Sequence, residues 1–519
     1  MGSANIRGST RSSNAVAPAI STASTKNKRA RSAVDDHEGA TSQHHEPPAK
    51  KSRVSSPRKP SKPVTTTQKG GRHPGVEPIS ARSPINEIPT EVLAVLMFGG
   101  GENGELGLGP RQTEARRPRA NTYLDPSDSS RFHVVRLAPG GMHTIALTVD
   151  NKIISWGVND NNALGRGTDW DGGLRDVDAE SDDEGELNPH ESTPAKINST
   201  VFPPGTKFAD VAAGDSCSFA LTDTGLVYGW GTFRDPEGKE GFGYQPDGTL
   251  IKKQETPTLI RGLQNIVQIA CGANHALALD ASGNIWAWGR GNQNQFGQRL
   301  FGRHQESLLP RIVRVCRGSA KYIACGEYHC FAVDQSDNVW GWGLNSFGQA
   351  GDAKSAGGNE ALLPFPMKIP GLCGKGVTLL AGGAHHSVAV AANNDCLVWG
   401  RIDGGQLGVS FTSEQLEDEA IVRRDDRNKP RICLRPTLVP HVGKVIHAAC
   451  GTDHTIFVSS DGHAYSTGFG SEGQLGLGSD DDVSVAERIV GKAVKDKTFR
   501  WAGAGGQFSV LAGPYVSSP

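Results

Sequence analysis

Five histidines recur in one setting: His143, His275, His329, His385 and His454 each end a Gly-x-x-His turn that opens a β-type run. Imidazoles titrate near neutrality, so a ring of them could move protons or hold a transition metal. Equivalent positions of a repeat, however, are spread around an axis and do not converge on one ion. Each histidine is therefore expected to cap its turn or line one face, with no metal and no catalytic group in the chemical sense. The sequence also lacks the phosphate-cradling Gly-x-x-x-x-Gly-Lys-Ser/Thr loop, the zinc-binding His-Glu-x-x-His and the Gly-x-Ser-x-Gly nucleophile elbow. Gly99-Gly-Gly-Glu-Asn-Gly104 spells a dinucleotide fingerprint, but it follows a strand-like run and recurs loosely elsewhere, so no cofactor is expected.

The turns that carry these histidines form a series: Gly140-Gly-Met-His143, Gly214-Asp-Ser-Cys217, Gly272-Ala-Asn-His275, Gly326-Glu-Tyr-His329, Gly382-Gly-Ala-His385, Gly451-Thr-Asp-His454 and Gly505-Gly-Gln-Phe508. Interleaved with it are aromatic-Gly pairs beginning at Phe98, Trp156, Trp230, Trp288, Trp342, Trp399 and Phe469, at intervals of 58, 74, 58, 54, 57 and 70 residues. Self-similarity on this scale marks a solenoid, propeller or array. From His275 to Gly289 two apolar runs flank a Ser-Gly-Asn turn, which reads as a hairpin. A further run, Ile266–Cys271, precedes the turn. Seven such units predict an all-β chain, a seven-bladed β-propeller of four-stranded antiparallel blades over residues 89–519. Trp286 and Trp340, paired with Trp288 and Trp342, read as blade packing.

The formal charge of −1 hides two opposed parts. Residues 1–88 hold 15 Lys and Arg against 6 Asp and Glu, leaving 39 against 49 for the remainder. This Ser-, Pro- and Lys-rich stretch is expected to be a disordered basic tail. Its clusters Lys26, Lys28, Arg29, Arg31 and Lys50, Lys51, Arg53 are of the kind read by nuclear import receptors or drawn to phosphate. An acidic insert is expected at 169–188, where Asp169 to Glu186 carries nine acidic residues and one Arg, with Ser181 in an acidophilic phosphorylation pattern. A second insert, at 417–431, is mixed in charge and carries no assigned role. Nine cysteines without a Cys-x-x-Cys fit a reducing compartment. No run of 18 apolar residues exists to span a membrane.

Phe98-Gly-Gly-Gly-Glu-Asn-Gly-Glu-Leu-Gly-Leu-Gly109, Trp399-Gly-Arg-Ile-Asp-Gly-Gly-Gln-Leu-Gly408 and Phe469-Gly-Ser-Glu-Gly-Gln-Leu-Gly-Leu-Gly478 resemble repeats of the regulator of chromosome condensation family, over roughly residues 93 to 513. In the third repeat Trp230-Gly-Thr-Phe-Arg-Asp-Pro-Glu-Gly-Lys-Glu-Gly-Phe242 is similar to the wedge of that family's nuclear exchange factor for the GTPase Ran. The resemblance implies that the propeller grips Ran and presses Phe233, Arg234, Asp235, Pro236, Glu237, Gly238, Lys239 and Glu240 against its phosphate-binding region, so that GDP leaves and GTP loads. It implies a contacting ring of Glu102, His143, Asp215, Asn274, His329, His385 and His454. Asn274 stands where the family often has an acid, which shifts the expected burden to Asp215, and Phe508 stands where the last repeat often has His. The resemblance further implies docking on histones and DNA through the tail and a basic loop, Arg299 to Arg303, on the opposite face; the animal members' amino-terminal Ser-Pro-Lys signal is absent after Met1. A nuclear, chromatin-associated monomer follows. The alternative is a propeller adaptor of the same repeat family without exchange activity.

Overall fold

The computed structural model describes residues 83–172, 186–299, 306–358 and 361–516. They form seven antiparallel blades and two small hairpins, as the repeat series predicts. Six residues of the expected tail, from Ser83, and the ends of the acidic insert fall within the described residues; the basic clusters, Ser181 and Arg303 lie outside them.

Blade 1 joins both ends of the domain. From the channel outward its strands are Trp501–Ala504, Phe508–Pro514, Leu93–Gly100 and Glu114–Ala120. Leu93 pairs with Pro514 and Gly99 with Phe508, so Leu93–Gly100 closes the ring. The second strands of blades 2 to 7 are His143–Thr148, Cys217–Thr222, His275–Asp280, His329–Asp334, His386–Val390 and His454–Ser459. Blade 6 gains a fifth strand, Val422–Arg424, from the second insert. Its Arg423 guanidinium donates to the carbonyls of Ala353, at 3.1 Å, and Ala356, tying the insert to blade 5.

Two repeats sit in a different register from the sequence series. In blade 6 His386, not His385, pairs with Gly400, so the turn runs Gly383-Ala-His-His386; the doubled Gly and doubled His offered two frames. In blade 7 His454 pairs with Gly468. Thr467 therefore takes the tryptophan position, and Phe469 is 41% exposed.

The spacing of the glycines has a steric cause. The glycine that opens each turn is covered by the side chain at its end, an imidazole in five of the seven: a Cβ on Gly272 would lie 2.1 Å from His275 Cε1, and one on Gly451 2.1 Å from His454 Cε1. The glycine after each tryptophan has a left-handed backbone, φ +108° at Gly289 and +112° at Gly400, with the facing strand directly above it.

A hydrogen-bonded staple joins successive blades. His329 Nε2 lies 2.8 Å from Ser387 Oγ, and that hydroxyl donates to the Gln349 carbonyl at 3.0 Å. The same carbonyl accepts the Trp399 indole N–H at 2.9 Å. Because the serine hydrogen is committed to the carbonyl, the histidine must donate from Nε2. His143 to Ser218, His386 to Thr455 and His454 to Ser509 repeat the contact at 2.8 to 2.9 Å. Where Phe508 replaces histidine, the Thr144 hydroxyl of the next blade is buried without a partner. Ser387→Ala is expected to cost about 1–3 kcal/mol by orphaning the His329 N–H, whereas Thr144→Val is expected to be neutral or stabilising; urea unfolding of the two variants measures the contrast.

Candidate partner-binding face

The Gly-x-x-His turns lie at one end of the blades and are laced around the ring by backbone hydrogen bonds: Asp215 N to Ala273 O at 2.9 Å, Ala273 N to Glu327 O at 3.0 Å, Glu327 N to Gly383 O at 3.2 Å and Gly506 N to Gly141 O at 2.8 Å. They form a rigid platform. Each turn offers two residues between its glycine and the residue that ends it. At the first position Asp215 and Glu327 border the central channel; at the second, Asn274, Tyr328, His385 and Asp453 stand in a wider ring. Glu102, in the connection of blade 1, is exposed at the same end, where Gly100 N donates to Gln507 O.

The structure corrects three members of the expected contact ring. His143, His329 and His454 are buried between blades, and desolvation pulls their imidazoles down to about 4, about 3 and about 3. They are neutral staples and present nothing to a partner. His385 stays on the face because of the register of blade 6. Its ring meets Phe347 edge-on at 4.8 Å, and the guanidiniums of Arg401 and Arg431 lie 5.5 and 5.1 Å from the centre of that phenyl ring. Glu327, Tyr328, Asp453 and Arg401 are additional face residues. Glu327 occupies the same turn position as Asp215, and that equivalence was the available sequence signal.

Blade 3 departs from the others. Its connection forms a β-hairpin in which Phe233 pairs with Gly241 and Arg234 with Glu240. Phe233 is wholly buried and stacks on Phe219 at 6.2 Å and Phe242 at 6.1 Å, while Phe219 meets Trp288 edge-on at 5.4 Å. Phe233 is thus the root of the hairpin, and the burial of its ring corrects its expected place on the surface of a wedge. At the tip, Asp235 Oδ1 accepts from Lys239 N at 2.7 Å, and Gly238 takes a left-handed φ of +78°. Pro236, Glu237, Gly238 and Lys239 are exposed. Arg290 donates to the Lys239 carbonyl at 2.9 Å, and Lys253 pairs with Glu240 at 3.3 Å.

The staple is dismantled beneath this hairpin. Blade 3 has Cys217 in place of histidine, blade 4 has Ala276 in place of the hydroxyl, and the Trp288 indole N–H is buried without an acceptor. Elsewhere the carbonyls of Glu105, Ala163, Gln295 and Gln349 cap the tryptophan of the next blade.

Asn274 links the hairpin to the ring. Its Oδ1 accepts from Arg234 N at 2.7 Å, and its Nδ2 points to Asp215 Oδ2 at 3.5 Å. An amide holds the hairpin without repelling Asp215, as a second carboxylate would. Asp215 reaches solvent, but the walls of the basin raise its carboxyl, opposed by Arg234. Burial, opposed by a hydrogen bond from Thr452 and aided by Asp215 and Asp453, raises Glu327 to about 7. A basin of about 520 Å³ opens between Asp160, Asp215, Arg234, Glu327 and Tyr328. The face is thus a rigid rim of acidic and aromatic side chains, with Arg234 and Arg401 set among them.

The opposite face is marked by the far ends of the hairpins. Ile85 N and Asn86 N donate to Asp223 O there at 2.7 and 2.9 Å. The connection after Arg290 crosses blade 4, bringing Gly297 against Val313, which pairs with Ile285 at that end. Exposed Arg299 follows.

The chain belongs to the RCC1-like domain family, whose domain matches residues 94–511. It is 40% identical over 443 residues to the guanine nucleotide exchange factor SRM1 of Saccharomyces cerevisiae, covering 83% of this chain and 89% of that protein. The crystal structure of Prp20p from Saccharomyces cerevisiae, described with its binding properties to Gsp1p and histones, matches with a TM-score of 0.74 at 37% identity, over 83% of this chain and 94% of that one. Kap60-bound yeast RCC1 (Prp20) gives a TM-score of 0.74 at 36% identity, over 87% and 97%.

Glu327 provides a pH test of the platform. A carboxyl raised in the folded state contributes stability that is complete below its unfolded value of 4.5 and is lost as pH rises through about 7. Glu327→Gln is expected to remove that component of the pH slope and to stabilise the protein relative to the parent above pH 7; urea unfolding at pH 5 and pH 8 measures both.

Proposed function

We propose that this chain is a guanine-nucleotide exchange factor for the small GTPase Ran, promoting GDP release so that GTP can load. The observation that carries the proposal is the blade 3 hairpin: the fold gives up an inter-blade staple and leaves an indole N–H unpaired to raise a rooted, exposed wedge beside an acidic ring. Local rules are broken most often where function demands it. The likeness to SRM1 supports the same reading.

Exchange needs no bond-making group. The face binds the nucleotide-free GTPase better than the nucleotide-bound forms, and differential affinity shifts the population. The hairpin tip, Asp235 to Lys239, displaces the phosphate-binding region, while Arg234 and Asn274 fix its angle. Asp215, Glu327 and Asp453 draw basic groups of the partner to the ring, and Glu102 and His385 complete the contact. The opposite face, with Arg299, is left for histones, the basic clusters at 26–31 and 50–53 for DNA phosphate and an import receptor. Reported properties of Prp20p, its binding to Gsp1p and histones and its complex with Kap60, support the GTPase, the histones and the import receptor as partners. On this reading the protein acts in the nucleus, at chromatin, as a monomer.

Release of fluorescent GDP from Ran–Mg–GDP tests the proposal. The intact chain is expected to accelerate release by orders of magnitude, a variant with Phe233–Glu240 replaced by a short Gly-Ser turn to lose that acceleration, and Asp215→Ala to slow it by about ten-fold or more. No acceleration by the intact chain would leave an adaptor propeller. Removal of residues 1–82 is expected to weaken nucleosome binding and flatten its salt dependence, measured by titration at several salt concentrations.

A further inference from the structure

One staple is built from sulfur. His275 Nε2 lies 3.0 Å from Cys330 Sγ, where the other staples present a Ser or Thr hydroxyl. Cys330 Sγ donates to the Gln295 carbonyl at 3.5 Å, a reach set by the larger sulfur atom, where the corresponding hydroxyls donate at 2.7 to 3.0 Å. A thiol is a weak donor, so serine would serve this staple better. A second thiol stands directly opposite: Cys325 pairs with Cys330 across the two inner strands of blade 5 and borders the central channel.

The ligating atoms of His275, Cys325 and Cys330 all lie within 4.8 Å of one another. His275 and Cys330 are buried and Cys325 is half-buried, so the channel is the route of entry. In the metal-free protein the Cys330 thiol donates to the Gln295 carbonyl and His275 Nε2 donates to Sγ, as in the other staples. Its Nδ1 is buried without a partner and can carry the ring hydrogen once Nε2 turns its lone pair to a cation.

We propose that His275 Nε2, Cys325 Sγ and Cys330 Sγ form a binding site for a soft closed-shell metal cation. Two thiols and an imidazole select soft d¹⁰ ions over magnesium or calcium, which prefer oxygen. Among the described residues the group offers three His and Cys donors, the number that three-coordinate Cu(I) takes and that Zn(II) takes with a water as its fourth ligand. On binding, each thiol releases a proton to channel water, and the imidazole supplies the Nε2 lone pair while Nδ1 takes the ring hydrogen. Burial holds Cys325 well above the ordinary thiol range, so that proton stays until a cation displaces it. Coordination would clamp blade 4 to blade 5 directly beneath Asn274 and Glu327.

The test uses the full chain, reduced and freed of metal, titrated with Cd(II) alone as a spectroscopic stand-in for a soft d¹⁰ ion. Expected is a thiolate-to-cadmium charge-transfer band that saturates at a single equivalent, together with a higher thermal midpoint. Cys330→Ser restores the hydroxyl that the other staples use and so keeps the fold; it is expected to lose both the band and the midpoint shift. Cys325→Ala, which places there the residue found at Ala213 and Ala504, is expected to do the same. Absence of a saturating single-equivalent band in the intact chain, or a band that survives both substitutions, would overturn the proposal.

Discussion

The staple between blades is the constraint from which most of this structure follows. A propeller blade buries its two faces against its neighbours, and apolar packing alone tolerates sliding. The imidazole, hydroxyl, carbonyl and indole of one staple come from four separate segments and are all buried. Losing one strands a neighbour in a dry interior, as the Thr144 hydroxyl shows, and there an unpaired polar group costs more than the bond is worth in water. Angle and register between blades are thereby fixed together. The steric demand of the imidazole requires glycine at the start of the turn, and the rigid turns, hydrogen-bonded around the ring, become the platform for recognition.

This also explains how much of the protein was legible in its sequence. The repeat, the fold class and the blade number were plain, because glycine and tryptophan recur where backbone geometry leaves no alternative, whereas the strand that closes the ring was not. Two register assignments went astray where local composition imitated the motif: Gly382 and Gly383 with His385 and His386, and Phe469-Gly470 two residues beyond the true Thr467-Gly468. The roles of the histidines were harder to read. Residue type and spacing place His143, His329 and His454 at turns, but the choice between surface contact and buried staple depends on a serine or threonine 55 to 75 residues away.

The hairpin of blade 3 was legible as an interruption, whereas its cost was not. That the interruption removes a histidine, a hydroxyl and an indole acceptor at one interface emerges only when blades 3 and 4 are set side by side. Aromatic stacking through Phe219, Phe233, Phe242 and Trp288 takes over the joint. The hairpin, the most specialised part of this end of the propeller, therefore rests on the interface that uses the common solution least.

The closure of blade 1 bears on how the domain is made. Its strands Leu93–Gly100 and Phe508–Pro514 pair along their length although they are synthesised first and last. Until the final strand leaves the ribosome, the Leu93–Gly100 strand has an open edge and the apolar side chains of blade 1 have no cover. Such long-range pairing is slow and exposes strand edges to association with other chains. The ring thus behaves as a clasp whose catch is the last of the blade strands to be made, and a chain cut short anywhere before Phe508 would lose the closure itself, not merely its last strand.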